Sequence, residues 1–132
     1  MFVPEEGLVA LGDFIPGVYL PYVRKERMEG FATMMEHWKK IVEGGKELKH
    51  VTMAHWDMPH SVEAFTEQYR YLQKVWDKLA DLKKKGLSLE DAKTAFSIEK
   101  DFPYFKDKRT KVRDIDLHIN NIEAIWEWLP DK

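Results

Sequence analysis

One segment restricts the fold more than any other. Val62, Phe65, Tyr69, Leu72, Trp76 and Leu79 recur every three or four positions, and Val75 and Leu82 widen the stripe. That spacing follows the turn of an α-helix and predicts a long amphipathic element that must bury one face against another layer. Its ends are marked by their chemistry. Ser61 offers a side-chain oxygen to the free N–H groups of a first turn. Lys83, Lys84 and Lys85 suit the negative end of the helix dipole, and Gly86 stops the helix.

The rest of the chain is read around this helix. Phe2-Val3 and Leu8 to Leu11 are apolar runs separated by Pro4-Glu5-Glu6-Gly7, the pattern of a β-hairpin. Residues 14–23 read as an ordered loop with a brief strand at Val18-Tyr19-Leu20. Phe31, Met34, Met35, Trp38, Ile41 and Val42 predict a helix from about Glu26 to Glu43, closed by Gly44-Gly45. His50 to Ala54 reads as a further short strand. Ser88-Leu89-Glu90-Asp91 resembles a capping box opening a short helix through about Phe96. Residues 97–113 read as a polar loop anchored by Phe102, Tyr104 and Phe105. Ile115, Ile119, Ile122, Ile125, Trp126 and Leu129 predict a last helix from about Asp114 to Trp128. The expected class is therefore α+β: a short β-hairpin and one further strand packed with about four helices.

Bulk properties remove several functions. At 132 residues the chain is one domain or a piece of one. Its net charge of −2 gives no electrostatic footprint for nucleic acid or an anionic membrane. No apolar run approaches the ~20 residues that span a bilayer. Cysteine is absent, which excludes disulfides, thiolate zinc sites and cysteine nucleophiles and fits a cytoplasmic setting. Five Trp, five Tyr and seven Phe supply an aromatic core, an oligomer interface or both.

The residues with metal-binding chemistry sit after the predicted strands. Asp13 follows Leu8 to Leu11, with Gly12 allowing close backbone approach. His55 follows the strand ending at Ala54, and Asp57 and His60 lie in the same loop before the long helix. Histidine and carboxylate suit zinc, iron or manganese. The alternative for each is an ordinary turn or loop residue. His37 falls on the polar side of its helix, and His118 shares an apolar stripe, as a hydrogen-bonded core histidine would.

Phe2 to Asp13 resembles the hairpin of metallo-β-lactamase-fold hydrolases that ends in their metal-bridging aspartate. Val51-Thr52-Met53-Ala54-His55-Trp56-Asp57 resembles the later strand and turn that supply their last metal-binding histidine. The segments Gly86 to Ala92 and His118 to Ile122 are similar to C-terminal helices of that fold. The resemblance covers the C-terminal half of the family's αββα sandwich. It implies that Asp13 bridges two metals, zinc or iron, and that His55 binds one of them. Such metals generate hydroxide from bound water for hydrolysis.

The family's His-x-His-x-Asp-His signature is not in this chain, and Ala54 and Trp56 replace the glycines that flank the family's histidine. The resemblance thus implies a single incomplete domain over residues 1–132, with the candidate ligands in 1–60 and a helical part in 61–132. Such a chain is not a complete hydrolase by itself. Self-association as a homodimer or larger, or pairing with an upstream half-domain, is the expected way to cover its apolar strands. The competing reading is a non-catalytic helical interaction or oligomerisation module. A third is a helical domain that binds a ligand in an aromatic-lined pocket.

Overall fold

The computed structural model describes residues 2–3, 5, 7–10, 21–44, 47–52, 62–106, 111–112 and 115–130. Among the described residues, five α-helices carry the structure: α1 (Met28–Glu43), α2 (Val62–Lys84), α3 (Leu89–Thr94), α4 (Ile98–Asp101) and α5 (Leu117–Trp128). Of the residues described down to the side chain, 74% are helical and 2% are in strands. The expected α+β class is therefore corrected to a predominantly helical body. Among the described residues, extended structure is confined to runs of two or three residues: β1 (Phe2–Val3), β2 (Leu8–Ala10), β3 (His50–Thr52), β4 (Lys111–Val112) and β5 (Ile115–Asp116). β2 pairs antiparallel with β1 and parallel with β3, while β4 pairs antiparallel with β5. Runs this short do not form the layer that a metallo-β-lactamase-like sandwich needs. Helices bury the core instead.

Gly7 sets the geometry of this fringe. Its φ of 62° lies in the left-handed region, and a Cβ there would come within 2.6 Å of the Glu47 carbonyl oxygen. The Gly7 carbonyl accepts from the Lys49 N–H at 2.8 Å, just before β3.

The centre of the molecule is α2. Its predicted stripe is present, but the helix is buried on a wider arc than that stripe. Trp38 meets Phe65 edge-on at 5.1 Å, and Phe31 lies 6.0 Å from Trp76, so α1 covers one side. Tyr71 meets Phe102 at 4.8 Å and Phe105 at 5.7 Å on another side. Leu72, Val75 and Leu79 lie between and are fully buried. A single apolar cluster runs from Val23 to Leu129 through all of these residues.

α5 runs in the same direction as α2. Tyr71 contacts His118 near the start of α5. Lys83 donates to the Trp126 and Leu129 carbonyls at its end, at 2.6 and 2.8 Å. The cationic last turn of α2 therefore also caps the C-terminus of its neighbour.

Local ends follow side-chain chemistry. Ser88 and Asp91 form the expected capping box. The Ser88 N–H and then its hydroxyl hold the Asp91 carboxyl below its ordinary pKa. Two boundaries differ from expectation. The 97–113 loop contains α4, capped by Ser97, and a 3-10 turn at Pro103–Phe105. The last helix starts at Leu117, because Asp116 accepts from the His118 and Ile119 N–H groups as N-cap and Ile115 pairs in β5.

Leu72→Ala leaves a cavity at a fully buried, two-sided contact. It is expected to destabilise the protein by about 3 kcal/mol, read as a lower urea midpoint at unchanged slope.

Candidate functional site

Two polar arrangements stand out on this framework: a buried network beneath α2, and a cleft above it. The network starts at Asn121, which is fully buried on α5. Its Oδ1 accepts from the Val23 N–H at 2.9 Å, and its Nδ2 donates to the Pro21 carbonyl at 2.7 Å. The same Nδ2 lies 3.3 Å from the Tyr71 hydroxyl, which pairs with His118 Nδ1 at 2.8 Å. The neighbouring Asn120 donates to the Val23 carbonyl at 3.0 Å. The two neighbouring carboxamides thus pair with the Pro21 carbonyl and with both backbone groups of Val23 in the strap at residues 21–23.

His118 is the core histidine that its stripe position suggests. It is 4% exposed and ringed by Tyr71, Phe96 and Phe102. The ring that a catalytic reading would need at a surface is instead held inside the molecule.

The cleft encloses about 310 Å³ between α2 and the segment 101–105, with the end of α1 at one margin. Tyr69, Tyr71, Phe102 and Phe105 form its aromatic floor. Its rim carries four carboxylates, Glu43, Glu67, Asp77 and Asp101, against two cations, Arg70 and Lys74. Positions 67, 70, 74 and 77 share one face of α2, which is why a single helix supplies most of the rim. Arg70 pairs with Glu67 at 3.1 Å, and the Lys74 ammonium lies 5.7 Å from the Phe102 ring centre.

Tyr69 titrates far from its ordinary value at this site. Its hydroxyl donates to Glu43 Oε1 at 3.1 Å. Burial first, then that hydrogen bond, then the negative charges of Glu43 and Asp77 push its phenol up to about 12. The neutral phenol is thereby kept as a donor that orients the Glu43 carboxylate.

The residues singled out for metal chemistry, Asp13, His55, Asp57 and His60, lie outside the described residues, as do Gly12 and Ser61. His37 is exposed on α1. Among the described residues, no group of three or more His, Cys, Asp or Glu is placed to hold a metal ion. No helix among them is long and apolar enough to cross a membrane. Asn121 was the residue least visible in sequence. Its only signal was an amide interrupting the apolar stripe of the last helix. The cleft had no local signal, since its rim joins positions from Glu43 to Asp101.

Comparison with protein families, with curated proteins and with solved structures yields no match to this chain. The resemblance to metallo-β-lactamase-fold hydrolases therefore rests on the quoted residues alone.

Two outcomes follow. Asn121→Ala strands the Val23 N–H and the Pro21 carbonyl, and should destabilise by about 2 kcal/mol, within the range for buried groups left unpaired. Amide exchange at Val23 should rise more than at Leu79. For Tyr69, the folded pKa lies above the unfolded value of about 10. Its stabilising effect is then complete below pH about 10 and is lost as pH rises through about 12. Tyr69→Phe should flatten that alkaline fall in an unfolding titration.

Proposed function

We propose that the protein is a non-catalytic helical recognition module that holds a segment of a partner protein in the cleft beside α2. The observation that carries this reading is the make-up of the cleft: an aromatic floor inside a charged rim. Aromatic surface ringed by polar groups is the usual composition of a contact site. Among the described residues that line the cleft there is no serine, threonine or histidine. The Tyr71 phenol is held by His118 and Asn121. Such a cleft offers contact and orientation to a docked segment. The volume, near the lower end of the about 300–1,000 Å³ of small-molecule sites, suits a side chain or short peptide stretch better than a large cofactor. The same reading puts the module in the cytoplasm, whose reducing conditions suit a chain without cysteine.

A photoreactive benzoylphenylalanine placed at Arg70, with Lys84 as control, tests the reading in cells. Position 70 should crosslink to a protein in a manner competed by excess unmodified chain, and position 84 should not. A crosslink to a second copy makes the partner this chain itself. Absence of any competed crosslink at 70 rejects the module. Stoichiometric bound metal, lost together with ester hydrolysis in the Asp13→Ala, His55→Ala double variant, would restore the hydrolase.

A further inference from the structure

Among the described residues, three of the rim carboxylates have no cationic partner. Glu43 accepts from the Tyr69 hydroxyl at 3.1 Å, Asp77 from the Gln73 side-chain amide at 2.9 Å, and Asp101 from the Ser97 N–H at 2.7 Å. Each donor is neutral, and none of the three carboxylates has an ion pair among the described residues. Glu67 is the one already matched, by Arg70. Four largely buried aromatic residues line the cleft with them, and an aromatic face within reach attracts a cation. The chain itself illustrates this preference: Lys74 lies over Phe102, and nearby Lys78 lies 4.7 Å from the ring centre of Phe96.

We infer that the cleft takes the side chain of a lysine or arginine from a peptide segment of the partner, its charge among Glu43, Asp77 and Asp101 and its alkyl stem on the aromatic floor. The inference rests on the cleft being the recognition site proposed above. It goes further by fixing the sign of the ligand. The charge balance of the rim decides that sign, since the cations present are outnumbered and Arg70 is already engaged. Long cationic side chains also match the mixed lining, with an apolar stem and a charged head.

The test is a chemical-shift titration of the isotopically labelled full chain with three blocked tripeptides: Gly-Lys-Gly, Gly-norleucine-Gly and Gly-Glu-Gly. The lysine peptide should move the amides of Arg70, Asp77 and Phe105. It should bind roughly fivefold or more tightly than the norleucine peptide, the gain expected of a few partly exposed charge and cation–π contacts. The advantage should shrink at high salt. It should also disappear in the Glu43→Gln, Asp77→Asn double variant, which keeps both side chains as hydrogen-bond acceptors. Equal binding of the norleucine peptide at the same amides overturns the cationic ligand and leaves the recognition site standing. Preferential binding of the glutamate peptide overturns it as well. If no peptide moves a cleft amide, the inference fails, and the crosslink at position 70 decides separately whether the recognition site fails with it.

Discussion

Burial of α2 on more than one side is the constraint on which the rest of the structure depends. A surface helix shows one apolar stripe and leaves most of its circumference to water. Here α1 takes one side through Phe31 and Trp38, while Phe102, Phe105 and α5 take another through Tyr71. Only a narrow polar strip is left. Glu67, Arg70, Lys74 and Asp77 fall on its cleft side, while the exposed Glu63, Lys78, Asp81 and Lys84 continue the solvent face beyond the cleft. The cleft and the core are two results of one packing arrangement.

Packing alone does not fix how the non-helical parts attach. Apolar contact is non-directional and tolerates sliding, whereas a buried amide with defined partners does not. Asn121 selects the position of residues 21–23 by offering one acceptor and one donor to that backbone. Lys93 performs a milder version at the surface, joining Glu90 of α3 to Glu123 of α5; the two carboxylates raise its pKa. Exposed pairs of this kind contribute little to stability. The buried amide is the stronger determinant of register.

The helices were the legible part of the sequence. Their stripes, the Gly44 stop, the lysine-rich last turn of α2 and the Ser88–Asp91 box all act within a few residues, where local chemistry decides. The expected α+β class fails because the strands at apolar runs such as Leu8 to Leu11 are only two or three residues long and leave most of the described core to helices. α4 was missed because four residues are too few to show a period; the Ser97 cap and the contacts of Phe102 hold it. His118 was legible as a core residue from its stripe. Asn121 and the cleft were not, since their partners lie far off in sequence and only the folded arrangement brings them together. Asp13, His55, Asp57 and His60 lie outside the described residues, so the metal reading keeps only its sequence argument.

The Asn121 tie has a consequence for how the molecule is made. Its partners are 98 and 100 positions earlier in the chain. A ribosome adding about 5–20 residues per second needs roughly 5–20 s to cover that separation. Throughout that interval the strap lacks Asn121, and α2, made partway through it, still lacks α5. The tie therefore forms only after α5 is made and has met α2. Full-length chain released from a denaturant meets no such delay, because loop closure costs grow only logarithmically with length. Synthesis and refolding therefore reach the same structure with different segments waiting exposed, and on the nascent chain residues 21–23 wait longer for their partner than the flank of α2 does.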